Sequence, residues 1–311
     1  MKTDLIISLD VGGTSIKGCV LQGNHIIENT YHQFVSKSDQ DKETILDHFA
    51  NIILHLWDSY RRHLKKNGYA DKDRVEVIGI GFAFPGPFDY RRGISYIKGL
   101  NKYDALYGIS IPNELTARLN NRLADKTFIM LFENDARLFG LGASTLYPEE
   151  RLIGLTIGTG LGSVFIENGK ILTDDPRIPR EGYLYNQRYQ GVLVDDRFSR
   201  RGILYEAAKV NLTGPHIDVK EIADMAKEGN PHAIALFERF GSEMGEMLIP
   251  FIKRFLPHKI VIGGQIAKSF DLFGPRLKAK VEPLGCHIVH LDNTLHYTHL
   301  GVAKMFDNHV G

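Results

Sequence analysis

Two stretches of the chain repeat one pattern, and that repeat restricts the fold more than any other feature. In the first, an apolar run from Leu5 to Leu9 reaches Asp10 and Val11, bends through Gly12-Gly13-Thr14, and enters a second strand-like run from Ile16 to Leu21. A turn at Gly23-Asn24 opens a third short strand before residue 34. In the second, RLIGLTIGTGLGSVFIENGKIL over residues 151–172, a strand enters a Gly-Thr-Gly-Leu-Gly bend, a second strand follows, and Glu167-Asn168-Gly169 turns into a third. The copies lie about 145 residues apart, too far for a solenoid repeat and suited to two duplicated α/β domains. A length of 311 residues agrees with about two domains.

A strand that turns through glycines directly into another strand leaves backbone N–H groups at the bend. Nothing larger than hydrogen blocks an anion there, so such a concavity suits phosphate oxygens. Either bend alone is equally a hairpin turn that binds nothing. Two of them, one from each half, imply a nucleotide held between the halves. Asp10, at the end of its strand, can face a magnesium ion or its water shell, and Lys17 adds positive charge nearby.

The rest of the chain reads as α/β. Ile45, Phe49, Ile52, Ile53, Leu56, Tyr60 and Leu64 recur at helical spacing over residues 42–67, and Gly68 is the expected stop. VEVIGIGFAF, residues 75–84, is an apolar strand ended by Pro85-Gly86-Pro87. Residues 88–111 read as an irregular crossing segment, and Pro112 opens a helix expected to run to about Ala124. The strand TFIMLF, residues 127–132, delivers Glu133-Asn134-Asp135-Ala136 to its C-terminal end, where open α/β sheets bind ligands. Asp135 is there either a helix N-cap or a reactive carboxylate. Residues 173–197 form a loop containing Glu181 and Asp195. Helices are expected over residues 198–211, 218–228 and 232–256, with Pro250 a possible kink in the third. KIVIGGQI, residues 259–266, ends in Gly263-Gly264, which suits either close approach to an adenosine or a plain strand-to-helix turn. A strand near residues 287–291 and a helix over about 298–307 close the chain.

Composition removes several classes of function. A net charge of +1 provides no basic field for nucleic acid. No apolar run reaches the ~18 residues of a membrane span, and no signal peptide is expected ahead of Asp10. Two cysteines, Cys19 and Cys286, make no disulfide framework and fit a reducing compartment, so a cytoplasmic enzyme is expected. The set Cys286, His287, His290, His296 and His299 lacks metal-ligand spacing, and its strand-like half makes alternate side chains diverge.

Taken in order, these pieces resemble the ROK family of sugar kinases. LDVGGTSIKG (residues 9–18) looks like its first phosphate loop, FAFPGPFD (82–89) its Pro-Gly-Pro segment, and ENDA (133–136) its catalytic motif. TIGTGLGS (156–163) looks like its second phosphate loop and VIGGQI (261–266) its adenosine segment. The resemblance implies duplicated actin-like, hexokinase-like domains with a central cleft: residues 1–115 joined by a returning helix at 298–311, and residues 116–297. It implies MgATP as phosphoryl donor, a hexose as acceptor, and commonly a homodimer. Asp135 would be the base. Gly86, Asn134, Glu181 and Asp195 would meet the sugar. Asp10, Gly12, Gly13, Thr14, Lys17, Gly158, Thr159, Gly160, Gly162, Gly263 and Gly264 would hold the nucleotide, Asp10 through magnesium-bound water. Many members carry a cysteine-rich zinc segment with a sugar-contacting histidine ahead of it. Residues 181–203 here contain neither cysteine nor histidine, so no structural zinc is expected, and the histidine's place falls near Leu184 or Tyr185. Asp195 stands where a second glutamate is usual. Glucose is the default sugar, with mannose, fructose, allose and N-acetylhexosamines open. A non-catalytic sugar sensor is the main alternative; with so few residues ahead of Asp10, a DNA-binding helix-turn-helix is not expected there.

Overall fold

The first glycine bend is the tip of a hairpin. Strand β1 (Thr3–Val11) pairs antiparallel with β2 (Ser15–Gln22), with Asp10 directly opposite Lys17. The chain then forms β3 (His25–Ile26), a single 3₁₀ turn at Glu28–Thr30, and β4 (His32–Val35). The third strand read from the sequence is therefore two short pieces, both paired with β2. Helix α1 (Lys42–Lys66) is capped by the Asp41 carboxylate, which accepts from the Thr44 N–H at 3.0 Å. Its apolar stripe buries Ile45, Phe49, Ile52, Ile53, Leu56 and Tyr60 as the spacing requires. The computed structural model describes residues 3–67, 75–119, 122–123 and 128–310. The expected stop at Gly68, the end at Ala124 and the strand start at Thr127 lie outside the described residues.

Strand β5 (Val75–Ala83) runs parallel to β1, and the crossing segment contains a small hairpin, β6 (Phe88–Asp89) with β7 (Ile94–Ser95). Helix α2 (Ile111–Leu119) packs on α1, and β8 (Ile129–Glu133) joins β5 in parallel. The sheet order is β3-β2-β1-β5-β8. Helix α3 (Asp135–Ala143) follows β8.

The second half repeats this order. Strands β9 (Leu152–Ile157), β10 (Leu161–Glu167) and β11 (Lys170–Leu172) form the antiparallel part. The expected loop at 173–197 holds short elements: a 3₁₀ turn at Arg180–Gly182, β12 (Arg188–Tyr189), β13 (Val192–Leu193) and α4 (Val194–Arg197). Helices α5 (Arg200–Ala208), α6 (Val219–Lys227) and α7 (Pro231–Phe255) come next, α7 running unbroken across Pro250. Strand β14 (Lys259–Gly263), helix α8 (Phe270–Val281) and strand β15 (His287–His290) complete a sheet of order β11-β10-β9-β14-β15. Position for position this is the first sheet again: two hairpin strands, a central strand, then two parallel strands. The last helix, α9 (Thr294–Val310), starts four residues before the expected 298.

Two compact units result: residues 1–138 with 298–311, and residues 139–297. The expected division after residue 115 moves to 138 because α2 packs on α1 and β8 completes the first sheet through β5. The terminal helix joins the first unit for a steric reason. A Cβ on Gly79 of β5 would stand 2.0 Å from the Phe306 ring, and one on Gly81 would stand 2.3 Å from Val302, so α9 lies against strand backbone there. The same contact buries a hydrogen bond between Ser8 Oγ and His299 Nδ1, 2.7 Å. Each unit has its own core, around Phe49, Phe82 and Phe84 in the first and Phe165, Phe198 and Phe237 in the second. Among the described residues no helix is long and apolar enough to cross a membrane.

Candidate active site

Register brings the motifs of the first unit together. Asp10 of β1 pairs beside Ala83 of β5, and Ala83 beside Glu133 of β8. Val11-Gly12-Gly13, Phe84-Pro85-Gly86 and Asn134-Asp135 thus leave three adjacent parallel strands at one edge, the carboxyl edge where such sheets bind ligands.

The first bend is shaped by what its carbonyls touch. Gly12 O accepts from the Tyr103 hydroxyl at 2.9 Å, and Gly13 O accepts from the Ser36 and Ser38 hydroxyls, Ser38 at 2.6 Å. A trans peptide points its N–H opposite its C=O. The N–H groups of Gly13 and Thr14 are therefore turned to the other side of the bend, as an anion cradle requires. Thr14 is exposed; Lys17 is half-buried.

Two carboxylates share this edge. Burial pushes Asp10 up to about 6, the nearby Asp135 charge pushes the same way, and Lys17 across the hairpin opposes both. Asp135 keeps solvent access on one side, while protein crowding on the others raises its pKa. The Ala136 N–H, Lys102 and Asn134 work against that rise. The N-cap of α3 is chiefly Asn134: its Oδ1 accepts from the Ala136 N–H at 3.0 Å and the Arg137 N–H at 3.4 Å. Asp135 Oδ1 also accepts from the Ala136 N–H, at 2.9 Å, so the two side chains share that donor and Asn134 reaches on to the Arg137 N–H. Gly86, joined to Pro87 by a cis peptide, lies beside the Tyr90 hydroxyl, 3.3 Å from where a Cβ would be.

Among the described residues no three His, Cys, Asp or Glu side chains gather as a metal cage. Magnesium does not need one: it takes one or two carboxylates, several waters and substrate phosphates. Asp10 and Asp135 fit that use, since a dication would relieve the repulsion that raises the Asp10 pKa. Of the late Cys/His set, Cys286 is fully buried, with burial pushing its thiol up to about 12. His290 stacks on Phe270 at 5.1 Å, and His299 is held by Ser8.

In the second unit the Gly158–Gly162 bend and Gly263-Gly264 leave the adjacent parallel strands β9 and β14. The Gly158 N–H donates to Gly160 O and the Arg200 N–H to Gly158 O, both 2.9 Å. Thr159 is exposed at the tip, while Gly162 already belongs to β10. Asp195 is tied to this bend: its Oδ1 accepts from the Leu161 N–H at 2.7 Å and its Oδ2 pairs with Arg201. The space a Cβ would need at Gly263 holds the Phe139 ring and Thr294 Oγ1. At Gly264, φ +100°, it holds the backbone of Ile157. These two glycines are thus explained by packing of the strand-to-helix turn itself.

Glu181 is exposed, in left-handed backbone (φ 58°), its N–H donating to Thr173 O at 3.1 Å. Leu184 is fully buried, and its N–H donates to Ser163 Oγ at 2.8 Å, so it serves the core; Tyr185 is exposed beside Tyr183. Sequence reasoning missed Ser36, Ser38, Lys102 and Tyr103 around the first bend. None sits in a motif, and Tyr103 is 91 residues from the Gly12 carbonyl it holds.

The ROK family profile matches residues 6–175 and 189–290. The chain belongs to the ROK family. Its two like-ordered sheets are the duplicated actin-like ATPase fold of ROK sugar kinases. It is 25% identical over 301 residues to a glucokinase of Thermotoga maritima, covering 89% of this chain and 86% of that protein. It is likewise 25% identical over 299 residues to an N-acetyl-D-glucosamine kinase of Haemophilus influenzae, covering 88% of each. Among solved structures it is similar to a ROK family transcriptional regulator, a homologue of the E. coli MLC protein, with a TM-score of 0.75 and 17% identity. That match covers 97% of this chain and 78% of the regulator.

Proposed function

We propose that this ROK protein transfers the γ-phosphoryl group of ATP to a hydroxyl of a hexose. The observation that carries this reading is the Asp135 carboxylate: solvent-accessible, raised in pKa, and sharing the cap of α3 with Asn134. An accessible carboxylate with raised basicity suits a general base, which typically contributes ~10²–10⁴-fold. It would take the hydroxyl proton as the oxygen attacks phosphorus.

In this reading Asn134, Glu181 and Asp195 hydrogen-bond other sugar hydroxyls and so select the attacking oxygen. Gly86 leaves room for the ring. Gly12, Gly13, Thr14 and Lys17 in one unit, and Gly158, Thr159, Gly160 and Gly162 in the other, hold phosphate oxygens; Gly263 and Gly264 lie on the adenosine side. Asp10 orients magnesium-bound water, and the ion when bound neutralises charge between the phosphates. Positioning and charge neutralisation dominate phosphoryl transfer, and both are supported by the ordered N–H groups and charges around the first bend.

The relatives' names leave the sugar open, and glucose and N-acetylglucosamine stand first. A second reading, a sugar sensor without turnover, is favoured by one observation: near the place where many family members carry a sugar-contacting histidine, Leu184 fills core and Tyr185 is exposed, and neither supplies an imidazole. A coupled ADP-release assay over glucose, N-acetylglucosamine, N-acetylmannosamine, mannose, fructose and allose separates the two. Sugar-dependent ADP release is expected. Sugar binding with no ADP release for any of them would favour the sensor, and ATP hydrolysis independent of sugar would refute both.

A further inference from the structure

The segment before α2 carries a residue that no motif marks. Lys102 lies between two non-glycine residues in left-handed backbone, Asn101 (φ 54°) and Tyr103 (φ 58°). Such conformations are unfavourable for residues with a side chain and persist only where surrounding structure holds them. Here the hold is visible. Tyr103 is fully buried, packed 5.9 Å from the Phe49 ring and 5.5 Å from Phe84. Its N–H donates to Ser38 O at 2.6 Å and its hydroxyl to Gly12 O at 2.9 Å. The backbone of Lys102 is thereby fastened to the first glycine bend.

Its side chain then runs over that bend. A Cβ on Gly13 would stand 3.1 Å from Lys102 Cδ and 3.7 Å from its Cβ, so the absence of a side chain at residue 13 makes room for the lysine stem. At the other end the positive charge acts on Asp135 and favours its ionised form. Lys102 therefore lies over the bend read as the phosphate cradle, at the strand edge that also delivers the carboxylate read as the base. In the transfer, the attacking hydroxyl must lie between the base and the γ-phosphorus. A cation flanking the base and the cradle is beside the oxygens of the group in flight.

We propose that Lys102 is a catalytic residue whose ammonium contacts the γ-phosphoryl oxygens, an inference that rests on the kinase reading above. The sugar oxygen forms a bond to the γ-phosphorus, and the bond from that phosphorus to the β–γ bridging oxygen breaks. The electron pair leaves with ADP, and the hydroxyl proton passes to Asp135. Lys102 keeps its own proton throughout and offsets the charge on the transferring group.

Lys102→Met and Lys102→Arg test this, because methionine keeps the apolar stem over Gly13 and removes only the charge. For Lys102→Met, kcat is expected to fall about 10²–10³-fold, the loss typical of one electrostatic donor, with hexose affinity by calorimetry unchanged. The preference for a non-hydrolysable ATP analogue over ADP should fall about tenfold or more, and arginine should restore part of both. An unchanged Trp57 unfolding transition shows that the variant is folded. A methionine variant turning over at the parent rate, or losing analogue and ADP affinity equally, overturns the proposal. If the parent protein phosphorylates no hexose, the kinase reading fails by itself. The analogue-to-ADP preference, measured without sugar, then still decides the contact: a drop in the methionine variant upholds an ammonium on the γ-phosphoryl oxygens, and equal preference in variant and parent, or none in the parent, overturns it.

Discussion

Replacing Asp10 by asparagine should stabilise the first unit at neutral pH, and the size of the gain follows from the site. The folded protein holds the Asp10 proton to about pH 6, against an ordinary value of 3.8, because burial and the Asp135 charge disfavour the carboxylate. One pKa unit corresponds to about 1.36 kcal/mol, so the ionised carboxylate costs the fold at most about 3 kcal/mol. Partial solvent access screens this, and the buried amide has its own desolvation cost. A net gain of about 1–2 kcal/mol remains, or about 3–6 °C in Tm for a unit of this size. The sign is definite. Because the folded pKa is raised, the parent loses stability as pH rises from about 4 through 6 and stays low above. The difference between variant and parent should therefore be near zero at pH 4 and full by pH 7. Trp57 is the single tryptophan and packs against the first core, stacked on Tyr60, so its fluorescence follows this unit. Urea unfolding at a series of pH values, with chelator present, reads the effect. A variant no more stable than the parent at pH 7, or one whose advantage is the same at pH 4, would show that Asp10 is not held under electrostatic strain. The same variant should lose activity, which would mark the strain as retained for function.

Further outcomes are expected elsewhere. Asp135→Asn should lower kcat by about 10²–10⁴-fold with sugar and ATP affinities little changed; turnover at the parent rate would remove it as the base. Asp195→Ala leaves the Leu161 N–H without its acceptor and should destabilise the second unit by about 1–3 kcal/mol in thermal unfolding. Asp195→Asn can still accept that bond and should leave stability nearly intact while weakening hexose binding more than ATP binding. Equal weakening of both would assign the residue to the bend alone. Gly301→Ala would place a Cβ 1.9 Å from the Leu138 carbonyl, so α9 must shift. A loss of about 1–3 kcal/mol in the Trp57 transition is expected, and an unchanged midpoint would contradict the close packing of α9 on α3.

What local spacing can express was legible from the residues alone. The repeated strand–glycine bend–strand pattern announced two like-ordered sheets, because hairpins are made by neighbours in the chain. The stripe of Ile45, Phe49, Ile52 and Leu56 announced α1, because a helical period is a property of one segment. The motif ENDA announced a carboxylate at the end of a parallel strand. Spacing does not say which group caps, which packs and which stays accessible. Asn134 took the cap of α3, Asp195 took the Leu161 N–H, and Phe139 and Ile157 filled the space beside Gly263 and Gly264. Tertiary contact also drew β8 into the first unit and brought Tyr103 and Lys102 onto a bend some 90 residues earlier. Such pairings are decided by side-chain volume and hydrogen-bond geometry across elements distant in the chain, and no period in the sequence records them.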